Sequence, residues 1–170
     1  PTAGTISMSA RVKVVDVSGQ FCRMAGGHWL HSGHLVSLKY RTRDLVGTAM
    51  KFIGVPYLWG GRTAQGVDCS SLVQLALAMA GIFCPRDSDL QETDVGVEVP
   101  MTDAQDFSQV EEGDLVFFPG HVGLFVQDWR FLHANAFDMQ VSLHSFSDVL
   151  DRAKNENAGI TSIRRIAPSS

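Results

Sequence analysis

Apolar and polar positions divide the chain into three textures. Over 10–38, short apolar runs alternate with turn residues: "ARVKVVDV" and "QFCRMA" flank Ser18-Gly19, and Gly26-Gly27 precedes "HWLHSGHLVSL". Short strands joined by glycine turns predict a small β-barrel or part of one. A helix is expected over 43–53, because Leu45, Ala49, Phe52 and Ile53 recur at helical spacing; Thr42 or Asp44 would cap it, and Gly54 and Pro56 would end it. The loop "YLWGGRTAQGVD" leads into a second helix over 69–80 that is apolar on nearly every face, which predicts a core position, with Gly81 as its stop. "SDLQ" reads as a capping box, Ser88 capping and Gln91 reaching back. After Glu111 the period shortens. "DLVFF", "HVGLFVQ", "RFLHANA" and "MQVSLHS" read as strands separated by Pro119-Gly120, Asp128-Trp129 and Phe137-Asp138. A short helix over 147–154 precedes a last strand, "GITSIRRI". Helices first and an antiparallel sheet second is an α+β pattern.

Composition adds bounds. The chain has 170 residues, 45% apolar and 19% charged, enough for one domain with a core plus a small module. The division expected is a β module over 1–40 and a main domain over 41–170. The module is short for a closed barrel, and the chain starts at Pro1, so the module is expected to be trimmed or to begin upstream. A net charge of −4 argues against a nucleic-acid partner, which would call for a basic stripe. The longest apolar run, 72–84, is interrupted by Gln74 and Gly81 and is too short to span a bilayer. Three cysteines without metal-type spacing exclude a disulfide scaffold. Free thiols and the lack of a visible leader point to the cytoplasm, with a periplasmic or secreted location as the alternative.

The candidate chemistry starts at "DCSS". Cys69 stands at the first turn of the apolar helix, where free N–H groups and the peptide dipoles favour a thiolate. Asp68, Ser70 and Ser71 surround it with polar groups that packing does not require. Cys22 and Cys84 lack such neighbours and read as small buried hydrophobes. A cysteine nucleophile needs a base and an orienting partner. In "HVGLFV", Val122, Leu124 and Val126 take one face and His121, Gly123 and Phe125 the other. A tight hairpin around Asp128 sets His121 opposite Asn135 and diagonal to His133, within reach across a sheet. Gly123 leaves space beside His121. His28, His31 and His34 read as exposed loop residues, and His144 as a surface or structural one. A zinc site of Cys69, His121 and His133 is the competing reading, without a close-spaced ligand pair to support it. Serine hydrolysis through Ser70 or Ser71 lacks the G-x-S-x-G elbow.

The motifs "PYLWGGRTAQGVDCSSLVQ", "PRDSDLQ", "GDLVFFPGHVGLFV" and "FLHANA" resemble, in order, those of the NlpC/p60 cysteine peptidases, papain-like hydrolases of bacterial cell-wall peptides. The resemblance spans 45–166. The β segment ahead of it is similar to the bacterial SH3-like barrels that often precede this domain. The arrangement most resembles the subgroup that cuts γ-D-glutamyl–diamino-acid bonds in peptidoglycan. By that resemblance Cys69 is the nucleophile, His121 the general base and His133 the third polar member. Tyr57 matches the oxyanion-hole tyrosine, and Asp68, Ser70 and Ser88 the pocket for the peptide's N-terminal end. Where the family reads Asp-Cys-Ser-Gly, this chain has Ser71, which is expected to crowd the pocket. The implied partner is a peptidoglycan-derived peptide; no cofactor, metal, nucleic acid or membrane span is implied. A catalytically inactive module that binds such peptides is the alternative.

Overall fold

The computed structural model of the chain describes residues 4–101 and 107–167. Strands β1 (Val14–Ser18), β2 (Phe21–Met24) and β3 (Trp29–His31) pair antiparallel in that order, with Ser18 set against Phe21 across the Gly19 turn. Gly19 has φ +56°, a left-handed turn conformation that glycine adopts without a Cβ penalty. Cys22 is the one buried residue of these three strands. His31 caps the short 3-10 turn that follows, its Nδ1 accepting from the Gly33 N–H at 3.1 Å.

Helix α1 (Leu45–Met50) is shorter than the apolar spacing implies. Asp44 caps it by accepting the Gly47 N–H at 2.6 Å, and Thr42 Oγ1 accepts the Asp44 N–H at 3.1 Å. Its continuation tightens: Phe52 and Ile53 donate to Ala49 and Met50, three residues back, before Gly54 at φ +82° turns the chain. Inside the glycine-rich loop a small hairpin forms, β4 (Arg62–Thr63) against β5 (Gly66–Val67). Sequence periodicity gives no hint of it.

Helix α2 (Cys69–Ala80) has the expected bounds. Asp68 accepts the Ser71 N–H at 2.8 Å, and Ser71 Oγ accepts the Asp68 N–H at 3.0 Å, a reciprocal box that fixes where the helix starts. Gly81, at φ +78°, ends it. Leu72, Leu75 and Leu77 are fully buried, each contributing about 1.5–3 kcal/mol of transfer free energy. Helix α3 (Ser88–Asp94) corrects one expectation: its N-cap is Asp87, and Ser88 is already helical. Gln91 does not reach back to a cap. It is buried and donates to the carbonyls of Ser70 and Pro85, both at 2.9 Å, so it ties α3 to the start of α2.

The remaining strands, β6 (Val97–Glu98), β7 (Leu115–Phe118), β8 (His121–Val126), β9 (Arg130–Asn135), β10 (Gln140–Ser145) and β11 (Ser162–Arg165), form one antiparallel sheet in the order β10-β9-β8-β7-β11-β6. Helix α4 (Phe146–Asn155) precedes β11. Successive strand residues point to opposite faces, and both faces are covered, which explains the nearly continuous apolar runs. Leu115, Phe117, Val122, Leu124 and Leu132 pack with α2. Val116, Phe118, Phe125, Phe131 and Ile163 pack with Phe146 and Val149 of α4. No helix among the described residues is long and apolar enough to cross a membrane.

Candidate active site

The capping box delivers Cys69 to the first position of α2, where it is 8% exposed. Its sulfur meets the backbone N–H of Val122, the residue after His121, so the helix tip abuts the start of β8. Cys69, Tyr57, Asp68, Ser70 and Ser88 line one pocket of about 730 Å³, together with Trp59, Arg86 and Gly120. Five of the residues expected from sequence therefore converge. His121 and His133 are not among the residues that line it, although His121 follows the lining residue Gly120 directly in the chain.

Their geometry follows from register. β8 pairs with β9 so that Leu124 faces Leu132 and Val126 faces Arg130, a register in which His133 falls diagonal to His121. His121 Nε2 and His133 Nδ1 are 2.8 Å apart. The diagonal repeats one strand further on: His133 faces Ser142 of β10, and His133 Nε2 lies 3.0 Å from His144 Nδ1. His144 Nε2 in turn meets Asp138 Oδ2 at 2.7 Å. Of the two readings of His144, surface or structural, these partners favour the structural one, and period-two spacing from Ser142 was the signal for its place in the row. Gly123 does not leave open space beside His121. A Cβ there would come within 2.5 Å of the Phe131 ring, which fills the gap and rests 4.9 Å from the His133 ring.

Charge in the pocket is paired. Asp68 receives Arg86 through both nitrogens, Nη1 to Oδ1 at 3.0 Å and Nη2 to Oδ2 at 2.5 Å, and also accepts the Gly60 N–H at 2.9 Å. Burial alone would raise the Asp68 carboxyl; Arg86 and the Ser71 and Gly60 N–H groups overrule it and hold it below the usual carboxylate range. Arg86 Nη1 also donates to Ser70 Oγ at 2.8 Å. Arg86 was not among the sequence candidates; it reaches Asp68 from a loop 18 residues away, a pairing no local pattern announces. Ser71 does not crowd the pocket, because it is fully buried and its hydroxyl is spent on the capping box.

The thiol departs from the thiolate expected at a helix start. Burial pushes Cys69 up, more than the N–H groups of Val122, Ser70 and Cys69 itself pull it down, and the Asp68 charge adds to the rise. Burial also lowers His121 to about 4 and His133 to about 2. Both partners rest neutral near pH 7. Burial, followed by the charges of Cys69 and Asp68, raises Tyr57, which keeps its hydroxyl a donor. Among the described residues, no group of three or more His, Cys, Asp or Glu is arranged to hold a metal ion, and the imidazole nitrogens of this row face one another instead.

Residues 54–154 match the NlpC/P60 family. The chain is 31% identical over 123 residues to dipeptidyl-peptidase 6 of Lysinibacillus sphaericus, covering 71% of this chain and 43% of that protein. It is 32% identical over 108 residues to the gamma-D-glutamyl-L-lysine dipeptidyl-peptidase of Bacillus cereus, covering 59% of this chain and 30% of that protein. The chain therefore spans less than half the length of these curated relatives. An NlpC/P60 family protein from Bacillus cereus shares the fold, with a TM-score of 0.76 at 24% identity over 96% of this chain and 56% of that one. A fold with the α2 tip against an antiparallel sheet, and a family match across the whole site, lead to one assignment: the chain belongs to the NlpC/P60 family of cysteine-type endopeptidases and peptidoglycan hydrolases.

Proposed function

We propose that this chain is a cysteine peptidase that hydrolyses peptidoglycan peptides at the γ-D-glutamyl–diamino-acid bond. The observation that carries the reading is the thiol at a helix tip, open to a pocket, with a hydrogen-bonded imidazole pair starting at the adjacent residue of β8. The bond is taken from the relative whose name specifies gamma-D-glutamyl-L-lysine. The three-stranded N-terminal sheet is read as an SH3-like module over 1–40, with the peptidase domain over 41–170.

In this reading His121 accepts the Cys69 proton as sulfur bonds to the substrate carbonyl carbon. The carbonyl electron pair moves to oxygen, held by the Cys69 N–H and the Tyr57 hydroxyl. His121 then gives its proton to the leaving amine, and the C–N bond breaks. Water, deprotonated by His121, attacks the thioester and frees the acid and the thiol. Neutral resting partners make this base-assisted attack, not a preformed thiolate. Asp68, Ser70 and Ser88 contact the peptide's N-terminal end. Because Arg86 already neutralises Asp68, a cationic amine there meets a paired carboxylate.

The test is a digest of defined muropeptides by the protein and its Cys69→Ser variant, with products identified by mass. Cleavage at the γ-D-glutamyl linkage by the wild type alone is expected. Intact linkages with the wild type would remove the bond assignment, and equal cleavage by the variant would remove the nucleophile.

A further inference from the structure

The histidine row has a far end, and the chemistry there is directional. Asp138 presents a carboxylate to His144 Nε2 at 2.7 Å. Ser142 close by, then His144 and Arg152, hold that carboxyl below the usual range, so it is an acceptor. His144 Nε2 therefore carries a proton. Arg152 Nη2 lies 3.3 Å from His144 Nδ1. A guanidinium only donates, so Nδ1 offers a lone pair. Arg152 is itself fixed: its Nε donates to the Asp148 carbonyl at 3.1 Å, and its guanidinium stacks 4.5 Å over the Phe137 ring. A carboxylate at Nε2 and a guanidinium beside Nδ1 thus pin the His144 hydrogen on Nε2.

The rest follows in order. His133 Nε2, 3.0 Å away, donates to that lone pair and shares it with the more distant Arg152 Nη2. Buried His133 does not carry a second proton, so its Nδ1 accepts from His121 Nε2 at 2.8 Å. His121 is left with its lone pair on Nδ1. Which nitrogen of a histidine is bare is decided by the hydrogen bond the other one makes.

We propose that Asp138 and Arg152, acting through His144, set the tautomer of the whole histidine row and hold the lone pair of His121 on Nδ1. His144, Asp138 and Arg152 are positioning residues, and the functional part of the inference rests on reading His121 as the base for Cys69.

Imidazole ¹⁵N shifts of the full chain, labelled at histidine, read the tautomers without any substrate. At pH 7 His121, His133 and His144 should all be protonated on Nε2 only; a proton on Nδ1 of any of them overturns the proposal. In His144→Phe, which keeps a ring and removes both nitrogens, His121 should show mixed tautomers. Alkylation of Cys69 by iodoacetamide and kcat should fall about ten-fold with KM unchanged, and His144→Gln, which retains a donor and an acceptor, should recover most of the loss. Asp138→Ala, at a half-exposed turn, should give the same spectral change in a smaller degree and serves if His144→Phe melts early. His121 remaining purely Nε2–H in both variants overturns the proposal. A tautomer shift without any change in Cys69 alkylation would uphold the row and instead count against His121 as the base.

Discussion

At the tip of α2 the polar groups are charged and matched: the Asp68 carboxylate is buried against Arg86 and tied to two backbone N–H groups. On the face of β8, β9 and β10, the imidazoles of His121 and His133 stand in line without charge, because burial disfavours their protonated forms. The two halves are joined where the Cys69 sulfur meets the N–H of Val122, next to His121. The difference teaches where reactivity comes from. Charge in the pocket is largely cancelled before it reaches the thiol, and what remains, the negative charge of Asp68, raises Cys69 instead of ionising it. The N–H groups around the sulfur do not offset its desolvation. Nucleophilicity then depends on where protons sit in the sheet and not on a standing ion pair.

Removing the atom at which the halves meet has the largest expected effect. Cys69→Ala should lower kcat by roughly 10⁴-fold or more, with the melting temperature nearly kept. On the neutral side, His133→Ala should cost roughly 10³-fold in kcat and more than His144→Ala, because His133 bonds His121 directly. Equal losses in the two variants would contradict that order. On the pocket side, Tyr57→Phe removes one oxyanion donor and should cost roughly 10²-fold in kcat with little change in KM.

Arg86→Met breaks the charged half alone. It leaves Asp68 buried with the Gly60 and Ser71 N–H groups and the Ser70 hydroxyl as its partners, and urea unfolding should show a loss of about 2–3 kcal/mol, reduced from the fully buried case by the partial exposure of Arg86. A change of pH, with a smaller effect for each group, separates the halves without a substitution. The unfolded histidines titrate near about 6.5, while folded His121 and His133 are lowered to about 4 and about 2, so between these values the unfolded state binds more protons. Stability is full above about pH 6.5 and declines as pH falls, by roughly 1–1.5 kcal/mol per histidine at pH 5.5. Unfolding free energies that stay level from pH 7 to 5 would show that the row is not held neutral.

Much of this was legible in the chain. The α2 bounds follow from a polar cap, an apolar run and a terminal glycine, all local. The His121–His133 diagonal follows from a tight hairpin and a period of two. What was not legible depends on partners distant in sequence. Arg86 on Asp68 and Gln91 on the Ser70 carbonyl arise because a loop folds back over the helix tip. The N-cap of α3 falls on Asp87, one residue ahead of the Ser88 read from the sequence. The neutral thiol is the deepest case: sequence reports the favourable dipole at a helix start, but the opposing burial exists only once the sheet has closed over it.

The central claim is that Cys69 carries the acyl group between two proton transfers made by an initially neutral pair. Rapid quenching of the protein with a γ-D-glutamyl–diamino-acid peptide in excess, followed by peptide mapping by mass, tests it directly. The account predicts a thioester adduct of the acyl fragment on the peptide containing Cys69, absent from Cys69→Ala. Turnover at the wild-type rate with the adduct missing, or turnover retained in Cys69→Ala, would contradict it.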